Sequence, residues 1–573
     1  MQSELILLRR NGCALWLGVF ASAWLSACWD GVLAGPASQH DYDHYDDYDA
    51  VEPASRVGGR TFYVRASGDD AASGRSLGAG WRSIERANQA LFEPGDSLLF
   101  EGGATFAGNL RLRVKNAGSA RAPVRVSSHG RELATLDAGE GDGIVIADIS
   151  GVIVERLHVQ GGWNSETQTG NAGEGVRVIG TRSGERRHYV RLRDLTVSGF
   201  QLAGIGLHAQ PSDDAKNSGY QDVEISDCEV HDNGHVGVVS DGPYIYDGPG
   251  YSHADVHVLR VRAHHNRGLV SQDDHTGSGI VLSDVDGALI EHSIAHDNGE
   301  FNDKASGGGF GIWTWDATHV TIQRNESYDN RSMTADGGGF DLDGGVTQSV
   351  LRYNYSHGNH GAGYGAFQFE WARPFHGNRI YSNISQNDGF GMYLWDGNGD
   401  MGALDILQNV TYGESSALTT ISGFSDVTVL NNVFYALGPV TLDVYAAAGL
   451  TLQGNVYWTG ERPLAITWES GSASAATYAG FDTYRDSTQQ EAFEGAATGS
   501  YQDPKLVAAG SGPTLEDTYA LSTLTMYQLQ SDSPLIDRGV DPELFGVAPV
   551  QRDFFEQVAP RGGAFDPGVS ERQ

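Results

Sequence analysis

Lysine is almost missing from this chain: four lysines stand in a sequence with 73 acidic residues and a formal net charge of −35 at pH 7. Nucleic acids are held by clustered Lys and Arg, so the composition argues against a nucleic-acid partner. It also argues against a polyanionic substrate unless bound cations intervene. Cysteine is scarce too. Of three, Cys13 lies in an N-terminal apolar stretch, which leaves Cys28 and Cys228 for the rest. Disulfides are therefore not expected in the fold, even in a compartment that allows them. The apolar stretch itself, Cys13 to Leu25, follows Arg9 and Arg10 and is too short and too near the start for a membrane span.

That stretch reads as an export leader. It ends in Leu25-Ser26-Ala27-Cys28, similar to a bacterial lipobox, with Cys28 as the lipid-modified residue and the only expected membrane contact. Cleavage after Val32-Leu33-Ala34 is the other reading, and it gives a secreted protein. From Gly31 to about Arg60 the chain is polar, with His40-Asp41-Tyr42-Asp43-His44 near its centre. His and Asp are metal ligands, but a solvated tether is the simpler reading. Trp81, Ile84, Ala87, Ala90 and Leu91 have helical spacing and predict a short cap over residues 81–91. The expected order is leader 1–27, acidic tether 28–60, N-terminal cap and first rungs 61–140, repeat core 141–460, and C-terminal rungs and cap 461–573.

Glycine is the abundant residue, 77 in all, spread among short alternating segments. Four of them stack on one another: Gly311 to Asp316, Gly339 to Gly344, Gly365 to Glu370 and Gly391 to Asp396. In a strand, side chains alternate between faces. One face then holds Ile312, Phe340, Ala366 and Met392. The other is expected to hold two columns, Trp313/Asp341/Phe367/Tyr393 and Trp315/Asp343/Phe369/Trp395. Downstream, Asn325, Asn354, Asn383, Asn409, Asn432 and Asn455 follow at intervals of 29, 29, 26, 23 and 23 residues. Periods in the twenties with strands and no helices indicate a β-solenoid, and stacked Asn amides can bond along the column. His231, His264, His296, Tyr328 and His357 form a further column. Its rings would lie one rung, roughly 4.8 Å, apart, which reads as a stack and not as a ligand set.

The repeat, the Asn column and the Glu93-Pro94-Gly95-Asp96 entry resemble the right-handed parallel β-helix, or pectin-lyase-like, superfamily. Gly-Gly-Gly-Phe-Asp-Leu-Asp-Gly-Gly at 337–345 and Ser533-Pro534-Leu535-Ile536-Asp537 are similar to segments of its secreted, polysaccharide-active members. The resemblance implies an all-β parallel solenoid of about eleven or more rungs, capped at both ends. It leaves the reaction open, because the superfamily holds hydrolases, lyases, epimerases and adhesive proteins.

Asp341 and Asp343, two residues apart on one strand, are the lead catalytic pair, and Glu370 is the alternative acid. Glycoside hydrolysis needs two carboxyl groups about 5–9.5 Å apart, one of them protonated, and crowding raises a carboxyl pKa. Trp313, Trp315, Phe367, Phe369, Trp371, Tyr393 and Trp395 would offer faces to sugar rings, with Asp316 and Asp396 at the flanking strand ends. Loops such as Tyr244–Ser252 would either cover these rings or wall a cleft. A hydrolase of this kind needs no cofactor. A lyase or uronate epimerase would use Ca²⁺ held by the acidic set and a base such as Lys304. A surface lipoprotein that binds glycans without cleaving them is the third reading. A monomer is expected in each case.

Overall fold

The computed structural model describes residues 59–573 apart from 247, 273, 306, 335, 398–400, 422–423, 446 and 470–473. The leader, Cys28 and the tether as far as residue 58 lie outside the described residues, whereas Arg60 is already held by the fold, donating to Asp96 Oδ2 at 2.6 Å.

Short runs of β-branched and aromatic residues, broken by glycine and left-handed turn residues, can pair only by stacking one coil on the next. Each coil contributes to three parallel sheets. The strand Ile312–Gln323 serves the first two sheets and Glu326–Tyr328 the third; in the next coil Phe340–Leu342, Val350–Arg352 and Tyr355–His357 take the same places. Their registers are Ile312↔Phe340, Ile322↔Leu351 and Ser327↔Ser356. The first sheet runs unbroken from Leu110–Leu112 to Ile466–Trp468. Its inward residues Ile312, Phe340, Tyr364, Ala366, Met392 and Leu394 join one core with Ile322, Leu351, Ile380 and Ile406. Burying each large side chain contributes about 1.5–3 kcal/mol.

The Asn column is a buried ladder. Asn325 Nδ2 donates to Asn354 Oδ1 at 3.0 Å, Asn354 to Asn383 at 3.1 Å and Asn383 to Asn409 at 3.0 Å, and the row continues through Asn432 to Asn455. A second ladder, absent from the sequence reading, joins Asn233, Asn266, Asn298, Asn330 and Asn359 at 2.9–3.0 Å and ends on Asp388. Removing one amide leaves buried donors and acceptors on the coils above and below without partners. Asn383→Ala is therefore expected to cost about 2–4 kcal/mol, read as a lowered denaturant midpoint. An unchanged midpoint would mean that the ladder carries no stability.

The caps close the two ends. The helix at the start spans Ile84–Asn88 only, capped by Ser83 Oγ accepting from Arg86 N at 3.1 Å, and it is shorter than the 81–91 expected. Trp81 is taken instead into a bridge with Val64, and Asn88 turns its side chain onto the first coil at Asn109 O and Arg111 N. At the other end the helix Phe481–Thr488 covers the last coils. The remaining segment packs Leu506, Leu521, Leu524, Tyr527 and Phe555 against Tyr355, Ile384, Val410 and Val433 of the third sheet. Cys228 is buried and free.

Candidate active site

The outward face of the first sheet carries the acidic and aromatic residues, in a register that differs from the expected one. Trp313 pairs with Asp341, Asp341 with Gly365, and Gly365 with Tyr393; Phe367 pairs with Trp395. Phe367 therefore belongs to the second column, and Phe369 falls beyond the strand Ala362–Gln368. The cause is visible in Gly361, Gly363 and Gly365. A slip of two residues keeps both glycine and face, so alternation alone cannot choose between registers. The core chooses, because Tyr364 stacks on Phe340 with ring centroids 5.5 Å apart.

Three carboxylates meet on this face. Asp341 is 1% exposed, Asp343 7% and Asp336 9%. Asp341 projects from the strand Phe340–Leu342, Asp343 follows that strand, and Asp336 precedes it at the start of the glycine run whose Gly337 has φ +75°. Burial, then the charges of Asp343 and Asp336, drive the Asp341 carboxyl well above the usual range. Burial likewise pushes Asp343 up to about 8, with Asp336 adding to it while the Gly344 N–H and Lys304 oppose. Asp336 is pushed up to about 7 by burial, against the pull of Lys304. The Gly344 N–H donates to Asp343 Oδ1 at 2.7 Å, whereas Asp341 Oδ1 has no hydrogen-bond partner among the described residues. Buried like charges of this kind hold protons at neutral pH.

Asp336 was not among the candidates. It lies five residues before Asp341, outside the strand, where period-two reasoning has no reach. The strand-end candidates, in contrast, do not join the trio. Glu370 is exposed in the turn after its strand. Asp396 is fully buried and accepts from Met401 N at 2.6 Å. Asp316 has φ +44° and turns back under the surface, where Arg373 Nε lies 3.0 Å from its Oδ1. Asp316 and Asp396 thus hold local structure through these partners.

A small residue opens the space before Asp341. A Cβ at Gly365 would lie 2.8 Å from Asp341 Oδ1 and 2.6 Å from the Phe367 ring. Gly365→Ala is therefore expected to lower turnover by about 10²-fold through displacement of the reacting groups, with a smaller effect on melting than Asn383→Ala. Turnover within a factor of two of the parent would show that this space is not used.

The aromatic residues divide between lining and wall. Trp313 and Phe367 are buried, and Trp313 Nε1 donates to Ser278 Oγ at 3.1 Å. Trp371 is 59% exposed and stacks on Phe369 at 5.0 Å, while Phe369 leans on Trp395 at 5.4 Å. The loop through Tyr244 forms the adjoining wall. Tyr244 packs on Trp315 at 5.6 Å and its hydroxyl donates to Trp371 O at 2.5 Å. Arg373 ties the loop down through Ile245 O and Gly250 O at 3.2 and 2.9 Å. Lys216 does the same from a second loop, donating to Pro243 O while it pairs with Asp284 Oδ1 at 2.6 Å. An exposed tryptophan on the same face as buried carboxyls of raised pKa is an arrangement suited to sugar rings.

Stacked coils with a buried acid cluster on one sheet define a parallel β-helix protein with a carboxylate site. The family model described as "Right handed beta helix region" matches residues 142–434, and the chain belongs to that family. Lacto-N-biosidase of Bifidobacterium longum subsp. longum is 24% identical over 473 residues, 66% of this chain and 29% of that protein. The chain thus spans less than a third of that relative's length. Among solved structures, a GH136 lacto-N-biosidase from Eubacterium ramulus is 17% identical, with 65% of this chain and 68% of that chain covered and a TM-score of 0.49. Pectate lyase Pel9A is 16% identical, with 90% and 96% covered and a TM-score of 0.36.

Proposed function

We propose that this chain is a glycoside hydrolase that cleaves an oligosaccharide or polysaccharide with carboxyl groups drawn from Asp336, Asp341 and Asp343. The observation that carries the reading is the trio itself: three acids too crowded and too buried to ionise together at neutral pH. One protonated member gives its proton to the glycosidic oxygen as the bond breaks. An ionised member attacks the anomeric carbon or activates water, and Lys304 favours that ionised form. No cofactor is required for either step. Trp371, Phe369 and Trp395 would hold sugar rings against this centre, with Trp313, Phe367, Tyr393 and Trp315 shaping its floor and wall. The kinship with a lacto-N-biosidase supports hydrolysis over elimination and makes lacto-N-biosides the first substrates to try.

The test is purified protein on a glycan panel, with and without EDTA, reading new reducing ends and unsaturated products. Reducing ends without near-ultraviolet absorbance, insensitive to EDTA, support the proposal. Unsaturated ends would replace it with elimination, with Lys304 as the candidate base. Azide rescue of glycine variants at the three positions would identify the nucleophile.

The protein is further proposed to work outside the cytoplasm, held by acylated Cys28. Cys28→Ser should move it from the membrane fraction to the soluble one, and retention in the membrane would refute the anchor.

A further inference from the structure

The histidine column is a ring stack, as its spacing predicts: His231, His264, His296, Tyr328 and His357 follow at centroid distances of 5.0, 4.8, 4.7 and 4.9 Å. Such a stack cannot bring its own ligands to one point. The next residue along changes the geometry. His265 takes φ +53° and sits edge-on to His264 and His296, and one coil later Asp297, with the same φ, places its Oδ2 2.8 Å from His296 Nδ1. As a result a ring nitrogen of His265, one of His296 and a carboxylate oxygen of Asp297 lie within 4.8 Å of one another.

We propose that His265, His296 and Asp297 form a site for a divalent transition metal such as Zn²⁺, with His264 as a fourth donor. A tetrahedral ion with bonds of about 2.1 Å needs ligand atoms about 3.4 Å apart, so rotation of two partly exposed side chains closes the set. Two imidazoles and a carboxylate suit zinc, cobalt or nickel and not calcium, which takes oxygen ligands.

Two hydrogen bonds at the cluster argue for this use. His264 Nε2 lies 3.3 Å from Glu229 Oε1, so the ring donates there and keeps its Nδ1 lone pair. That Nδ1 points at His265 Nδ1, 2.8 Å away. A histidine whose far nitrogen is fixed by a carboxylate is the usual supporting arrangement for a metal ligand. Against binding stands Arg262, whose Nη1 donates to His296 Nε2 at 2.9 Å. It holds the proton of His296 on Nδ1, where it meets Asp297 Oδ2 at 2.8 Å. Loading moves that proton to Nε2 and sends Arg262 toward Glu516, already 3.4 Å from its guanidinium. Arg262 is thus a built-in competitor of the ion.

The site lies on the third sheet and its turn, away from the carboxylate trio on the first, and its ligands come from two successive coils. A bound ion would staple those coils together and raise the melting temperature by mass action.

The experiment uses the full chain, stripped with EDTA and dialysed, then titrated with ZnCl₂ by calorimetry and with Co²⁺ by visible absorption. One tight equivalent, four-coordinate cobalt bands and a zinc-dependent rise in melting temperature are expected. His265→Ala and Asp297→Asn should weaken binding at least about ten-fold and remove the melting shift, with the metal-free melting temperature little changed. Arg262→Gln, whose amide oxygen can accept from His296 Nε2, should bind more tightly than the parent. The control is His40→Ala/His44→Ala in the tether, which should change nothing. Zinc binding that survives His265→Ala and Asp297→Asn, that is lost in the tether variant, or that is absent from the parent would overturn the proposal.

Discussion

Asp343→Asn should lower turnover by about 10²–10⁴-fold while leaving the protein at least as stable as the parent. Both halves follow from the same crowding. Asp343 shares its buried face with Asp336 and Asp341; burial raises all three carboxyls, and the charges of Asp343 and Asp336 raise Asp341 further. An amide keeps the shape of the carboxyl but removes one buried acid, so repulsion falls as chemistry is lost. Asp336→Asn should behave in the same way, although only the structure points to it. The discriminating measurement pairs kcat with the denaturant midpoint for each variant. An active Asp343→Asn enzyme would remove the trio from catalysis. An inactive but markedly destabilised one would make the acids structural.

The second large effect is on pH. Asp336, Asp343 and Asp316 are raised to about 7, 8 and 7, chiefly by burial, so the folded protein binds protons that the unfolded chain has already released. Their contribution is complete below pH ~4, the ordinary range for aspartate, and is lost as pH rises through 7 to 8. Stability should therefore decline from pH 5 to pH 9, and Asp336→Asn and Asp343→Asn should flatten that decline. Turnover should fall over the same alkaline range as the acid loses its proton. Rising stability across this window in the parent would contradict the protonated state assigned to the trio.

The fold was largely legible because its signals are periodic. The Asn column from Asn325 to Asn455 gave the coil length, and the alternation around Phe340 gave the face. Both survive as a ladder and a core. The site was legible only where that periodicity reached. Asp341 and Asp343 lie on or beside a strand, and their outward placement follows from parity. Phe367 lies on a strand too, but one that follows alternating glycines, and its column was set by the packing of Tyr364 on Phe340. Asp336 sits in a turn, where no period applies. Asp396 shares the parity of Met392 and Leu394, so its burial was readable from alternation. Asp316 likewise shares the parity of Ile312 and Thr314, but its partner Arg373, 57 positions away, has no signal in that alternation. The second ladder could have been found, since Asn233, Asn266, Asn298, Asn330 and Asn359 recur as regularly as the first set.

Both ladders have a direction. Each side-chain amide gives one hydrogen to the next amide on the C-terminal side, while the other, as from Asn325 Nδ2 to Ile290 O at 2.9 Å, goes back to a carbonyl of the preceding coil, so the amide-to-amide bonds of a row all run one way and leave a hydrogen-rich end. Each row finishes there on a group with acceptors to offer: Asn455 Nδ2 meets Glu491 Oε1 at 2.8 Å, and Asn359 Nδ2 meets Asp388 Oδ1 at 2.9 Å. A carboxylate can close such a row but cannot extend it, because it has no proton to pass on when ionised. Coils could thus be duplicated anywhere within a row by adding one asparagine, and the grammar would hold. Beyond the carboxylate it would not. The acid at the end of each row closes that row and not the stack, since the coils of Asn409, Asn432 and Asn455 still follow Asp388, and the two rows stop at different coils.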